Sequence, residues 1–119
     1  MTLMEAIQQV DALKPNAYSV RQKILWLSQL EAMVGRLVTG QEWDGSGGFT
    51  DETDPGTRLT MQAPFDMAYL YWLEAQIHYA NEDLDLYNRA IVLFNRVFGE
   101  YKADYRRNHG GEIAGRFRF

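Results

Sequence analysis

The chain contains no cysteine, which excludes disulfide-stapled scaffolds, cysteine-ligated zinc and thiol nucleophiles. Histidine is almost as scarce, with only His78 and His109. His78 falls in an aromatic helical stretch and reads as a packing residue, while His109 complements the dipole of a helix end. Serine is limited to Ser19, Ser28 and Ser46. With no Gly-x-Ser-x-Gly elbow, a hydrolase triad has no candidate. Also missing is any apolar run near the roughly 20 residues that cross a bilayer. The opening Met1-Thr2-Leu3-Met4-Glu5 lacks the basic-then-apolar pattern of a signal peptide. The expectation is a soluble, non-exported protein without catalytic residues, cofactor or metal.

What is present is one domain's worth of chain, 119 residues and 46% hydrophobic, enough to bury a core without staples. The net charge of −4 argues against a general nucleic-acid binder. That mean hides a strong asymmetry. Residues 1–40 carry +1, residues 41–85 carry −9 with Arg58 as their only base, and residues 86–119 carry +4. One reading is generic surface charge on solvated faces. The other is self-association, with the basic end of one copy meeting the acidic surface of the next. Such a heterologous contact closes into a ring.

The apolar spacing predicts four helices. Thr2 and Glu5 form a capping-box pattern, so the first helix should start near Leu3 and end at Leu13-Lys14-Pro15-Asn16. Ser19 and Gln22 repeat the pattern. A second helix then carries Val20, Ile24, Leu27, Leu30, Val34 and Leu37 on one stripe and stops at Gly40. Pro64 suits the first position of a third helix running from Phe65 to Tyr79. That helix is apolar over most of its circumference and belongs at the centre of the fold. Asn81 should end it and cap the fourth. The fourth helix repeats Leu84, Tyr87, Ile91, Phe94, Phe98, Tyr101 and Tyr105, an aromatic seam suited to packing on the third. It ends at Asn108-His109-Gly110-Gly111.

Residues 39–63 are turn chemistry with no helical period, a connection long enough to be functional or disordered. Trp43 and Phe49 are costly to leave in water and should pack on the helices or on another molecule. Leu59 and Met61 could form a short extended piece. The last residues, Arg116-Phe117-Arg118-Phe119, alternate cation and aromatic at strand period. They could fray as termini do, or form an arm that orders on a neighbour.

Candidate chemical motifs are weak. Gly45-Ser46-Gly47-Gly48 lacks the lysine and strand–turn–helix frame of a phosphate loop. Asp44 to Glu52 invites a calcium reading, but Phe49 stands where an EF-hand loop needs glycine. The acids Asp51, Glu52 and Asp54 could bind a cation loosely or meet a neighbour's arginines. Arg106, Arg107, Arg116 and Arg118 can hold phosphates without reading sequence, so non-specific contact with DNA ranks below protein contact.

Several segments, taken in order, resemble a family. They are Val10-Asp11-Ala12-Leu13-Lys14-Pro15-Asn16, Trp26-Leu27-Ser28-Gln29-Leu30-Glu31, Ala63-Pro64-Phe65-Asp66, the run Tyr69 to Asn81, Tyr87-Asn88 and Phe94-Asn95. Over residues 3–108 the series is similar to the small head-to-tail connector (adaptor) proteins of tailed phages and prophages. With the helical spacing, the resemblance implies an all-α, four-helix bundle-like connector domain over residues 1–108 with its long inter-helix loop at 39–63, and the residues beyond it, 109–119, read as an extended C-terminal arm. It implies a non-enzymatic ring, of twelve copies, docked beneath the portal protein around the DNA channel. The next neck or tail-completion protein would bind below, with no membrane involved. Its location would be the virion neck, assembled in the host bacterial cytoplasm. Relatives tend to stop soon after the Asn108-His109 region, so the tail departs from the pattern. The contact residues expected on this reading are Trp43, Phe49, Asp51, Glu52, Asp54, Arg106, Arg107, Arg116, Phe117, Arg118 and Phe119. The alternatives are an assembly chaperone absent from the virion and a small helical DNA-binding regulator.

Overall fold

In the computed structural model, which describes residues 1–40 and 48–109, the chain is all-α. Helix α1 (Leu3–Leu13) opens on a closed capping box. The Thr2 hydroxyl accepts from the Glu5 amide and the Glu5 carboxylate accepts from the Thr2 amide, both at 3.2 Å. Leu3, Ala6, Ile7 and Val10 form its buried face. Asn16 then shapes the turn: its amide donates to Asp11 and to the Lys14 carbonyl, and its own oxygen accepts from the Tyr18 amide.

Helix α2 (Val20–Val34) is capped by Ser19, whose hydroxyl accepts from the Gln22 amide at 3.1 Å. Ile24, Leu27, Leu30 and Val34 are buried as their spacing requires, but Val20, in the first turn, is exposed. The last turn, Gly35–Thr39, is wound as a π-helix before Gly40 ends it at φ 74°. This corrects the expected stripe. A π turn holds an extra residue and rotates everything after it, so Leu37 is 58% exposed and Val38 packs on the core instead.

The segment from Thr57 to Met61 runs antiparallel to the start of α1. The Leu3 amide donates to the Thr57 carbonyl at 2.8 Å, the Leu59 amide donates to the Met1 carbonyl at 3.0 Å, and Thr2 bridges Arg58. Leu59 and Met61 are thereby fully buried. The chain reverses through a cis Ala63–Pro64 bond before helix α3 (Met67–Ala80). Pro64 lies in the preceding turn rather than at the first helical position.

Helix α3 is central, packing against α1, α2 and α4. Asn81 closes it, donating its amide to the Ile77 carbonyl. Asp83, not Asn81, caps helix α4 (Leu84–Asn108), accepting from the Leu86 amide at 3.2 Å. The Asn81 side chain is occupied elsewhere: it accepts from the Tyr18 hydroxyl at 2.6 Å. The aromatic seam of α4 lies on and around α3, with Trp72 against Phe94, Tyr79 against Tyr87, and Phe65 against Tyr101. The α4 backbone approaches α3 and the π turn but neither α1 nor α2. The arrangement is thus a three-helix layer with α4 laid along α3. Being 25 residues to the 14 of α3, α4 continues beyond its partner.

Candidate functional site

The loop after Gly48 is anchored by one serine. The Ser28 hydroxyl, on α2, accepts from the Phe49 amide at 2.8 Å and donates to the Phe49 carbonyl at 3.2 Å. Phe49 itself packs against the core. The chain then turns on its own side chains. The Thr50 amide donates to the Thr53 hydroxyl, the Glu52 amide donates to the Thr50 hydroxyl, and the Gly56 amide donates to the Asp54 carboxylate. Asp51, Glu52 and Asp54 all end up exposed. An open cleft of about 450 Å³ lies between Phe49-Thr50-Asp51 and the first turns of α2, lined there by Ser19, Arg21, Ile24 and Leu25.

Behind the loop lies a buried polar cluster. Glu31 is 5% exposed, and its carboxylate accepts from the Thr60 amide at 3.0 Å, the Thr60 hydroxyl at 2.8 Å and the Tyr69 hydroxyl. Tyr69 in turn accepts from the Met61 amide at 2.8 Å. Burial, and then the neighbouring Glu31 carboxylate, push the Tyr69 phenol far above the ordinary tyrosine range. It is therefore a neutral donor. The cluster fixes residues 60–61 against α2 and α3.

The far end of α4 carries the bases. Arg106 and Arg107 are exposed, and Arg107 reaches Asp104 at 3.4 Å. The Asn108 side-chain amide donates to the other Asp104 oxygen at 3.2 Å. His109 stacks on Tyr105, with ring centroids 3.9 Å apart. Tyr101, further back and buried, has its ionisation raised by desolvation first and then by Tyr105 and the carboxylates of Glu31 and Asp104.

The opposite end of α4 is the turn from α3. There Tyr79 is 62% exposed and Leu84 is 60% exposed, an unusual pairing of large apolar groups in water. With Ala80 and Glu82 they line a shallow cleft of about 520 Å³. Glu82 holds φ 61°, the left-handed region, so that the Asp83 amide can donate to the His78 carbonyl at 2.9 Å. Glu82 and Asp85 are exposed.

The fold brings Phe49, Asp51, Glu52 and Asp54 into one loop, and Arg106 and Arg107 onto one helical turn. Among the described residues no ion pair joins the two groups. Trp43, Arg116, Phe117, Arg118 and Phe119 lie outside the described residues. Sequence reasoning did not single out the Tyr79–Leu84 tip. The available signal was two large apolar residues flanking Asn81-Glu82-Asp83, a turn too short to bury both. Among the described residues no three His, Asp or Glu side chains converge to hold a metal, and no helix is long and apolar enough to cross a membrane. The chain matches no protein-family model, no curated protein and no solved structure.

Proposed function

We propose that this chain is a structural head-to-tail connector of a tailed bacteriophage. It would dock as a ring on the portal protein, link capsid to neck around the DNA channel, and reside in the virion neck. The observation that carries this reading is the separation of charge on a helical body. Exposed acids, Asp51, Glu52 and Asp54 in the loop and Glu82 and Asp85 at the turn between α3 and α4, make no ion pair with the exposed bases Arg106 and Arg107 within one chain. Arg107 reaches only its exposed neighbour Asp104, at 3.4 Å, and opposite patches that do not meet within one molecule suit repeated heterologous contacts between copies. The resemblance of residues 3–108 to connector proteins supports the same reading, as does the anchoring of a long loop by Ser28 and Phe49. Portal, neighbouring copies and the next neck protein would be its partners, with packaged DNA touched at most through phosphates.

The test is the protein inventory of purified particles from a host producing this chain. Mass spectrometry should find it at a fixed ratio to the portal. Finding it only in immature heads would replace the connector by an assembly chaperone. Its absence from both, together with sub-micromolar binding of duplex by the isolated chain, would favour a DNA-binding regulator.

A further inference from the structure

The tip between α3 and α4 combines features that a solitary chain does not need. From Asn81 to Asn88 its only charged residues are acids, and Tyr79 and Leu84 stand more than half exposed around the shallow cleft. The cleft beside Asp51 is less one-sided, because Arg21 is among its lining. Glu82 holds a left-handed φ that glycine adopts at lower cost.

We propose that this acidic, apolar tip is the docking site for the basic end of α4 in a second copy of the chain, so that copies join head to tail. The inference deepens the ring reading above and rests on it for the closure of the series. Arg106 and Arg107 of one copy pair with Glu82 and Asp85 of the next. The aliphatic stems of the arginines cover Tyr79 and Leu84. One chain cannot make this joint with itself, since the two poles of a 25-residue helix lie about 37 Å apart. The contact is therefore heterologous and propagates until rotation closes it.

The absence of native cysteine allows a direct test on the full chain. Leu84 and Asn108 are both exposed, so Leu84→Cys and Asn108→Cys leave the fold in place, which circular dichroism verifies. The two variants are mixed under mild oxidation, and the three possible disulfide dimers are counted. The mixed 84–108 dimer should exceed either homodimer about tenfold at low salt and lose most of that excess at about 0.5 M salt. Adding Arg106→Glu and Arg107→Glu to the Asn108→Cys chain should abolish the excess. Glu82→Lys and Asp85→Lys on the Leu84→Cys chain should restore it. A statistical mixture of dimers, or failure of the charge swap to restore the excess, overturns the joint. The particle inventory reads the connector assignment independently. A chain found in virions but giving a statistical mixture loses only this joint, and a strong 84–108 bond in a chain absent from particles loses only the connector reading.

Discussion

The phenol of Tyr69 on α3 donates to the buried carboxylate of Glu31 on α2, and the same phenol oxygen accepts from the Met61 amide. One hydroxyl thus ties two helices to the extended segment that carries Leu59 and Met61 into the core. Tyr69→Phe removes both bonds without opening space for water. It should destabilise the chain by about 2–4 kcal/mol in urea melts at neutral pH, because a buried carboxylate oxygen and a buried amide each lose a partner.

The same residue sets a pH dependence. The Tyr69 pKa is raised above its ordinary 10.0, so the folded state holds that proton more tightly than the unfolded state. Its contribution is fully present below pH 10.0 and is lost as pH rises toward the folded value. Wild-type stability should fall steeply on the alkaline side. In Tyr69→Phe that limb should flatten, leaving the smaller slope from Tyr101, whose ionisation is also raised. An unchanged alkaline limb in the variant would remove Tyr69 as its source.

Lys23 and Asp11 make the second polar tie. The Lys23 side chain is 3% exposed, with its ammonium 2.6 Å from an Asp11 oxygen, while the Asp11 side chain is 41% exposed. The two partners should therefore respond differently. Asp11→Asn strands a buried charge, and allowing for the half-open side of the pair it should cost about 2 kcal/mol. Lys23→Met leaves behind a carboxylate that water can reach and should cost less. Chemical denaturation of both variants checks the order, and equal losses would mean that the ammonium finds water or another acceptor.

Most of the helical framework was readable in the chain, because capping residues and apolar spacing act locally. Thr2, Ser19 and the seam from Tyr87 to Tyr105 lie where those rules put them, whereas Leu84, expected to start the seam, stands exposed. The failures come from longer range. Nothing near Leu37 announces a π turn that rotates it into solvent. Nothing near Pro64 shows that Met61 is already pinned by a tyrosine eight residues later. Nothing in the sequence marks Lys23 and Glu31 as buried charges, since their partners, Asp11 and Thr60, are distant in sequence. At the candidate site, the charge segregation was visible from composition. The Tyr79–Leu84 tip emerged only once α3 and α4 were seen to fold back with both side chains outside.

Ser28 offers a local test of the loop. Ser28→Ala deletes both bonds to the Phe49 backbone, worth about 1–2 kcal/mol, but alanine in a helix returns roughly 0.5 kcal/mol of propensity. Global stability should move by about 1 kcal/mol or less. The Phe49 amide should nonetheless exchange with solvent deuterium about tenfold faster, since its protection comes from the deleted acceptor. Unchanged exchange at Phe49 would show that side-chain packing alone holds the loop entrance.

Gly99 tests the outer surface of α4. It lies inside the helix, is exposed, and a Cβ built there meets nothing within 4 Å among the described residues. No packing contact with the described residues demands glycine, and glycine in a helix interior costs about 1 kcal/mol relative to alanine. Gly99→Ala should therefore raise the stability of the isolated chain by about 1 kcal/mol, a rise of roughly 4 °C in Tm. Gly99→Leu should be tolerated equally by the fold, since the space is open. The pair then separates folding from assembly. If, on the proposed connector reading, the outer face of α4 is covered in the particle, Gly99→Leu chains will melt normally yet fail to enter virions, while Gly99→Ala chains enter with only modest loss. Normal incorporation of Gly99→Leu would place that face in solvent and confine subunit contacts to the two poles of the helix.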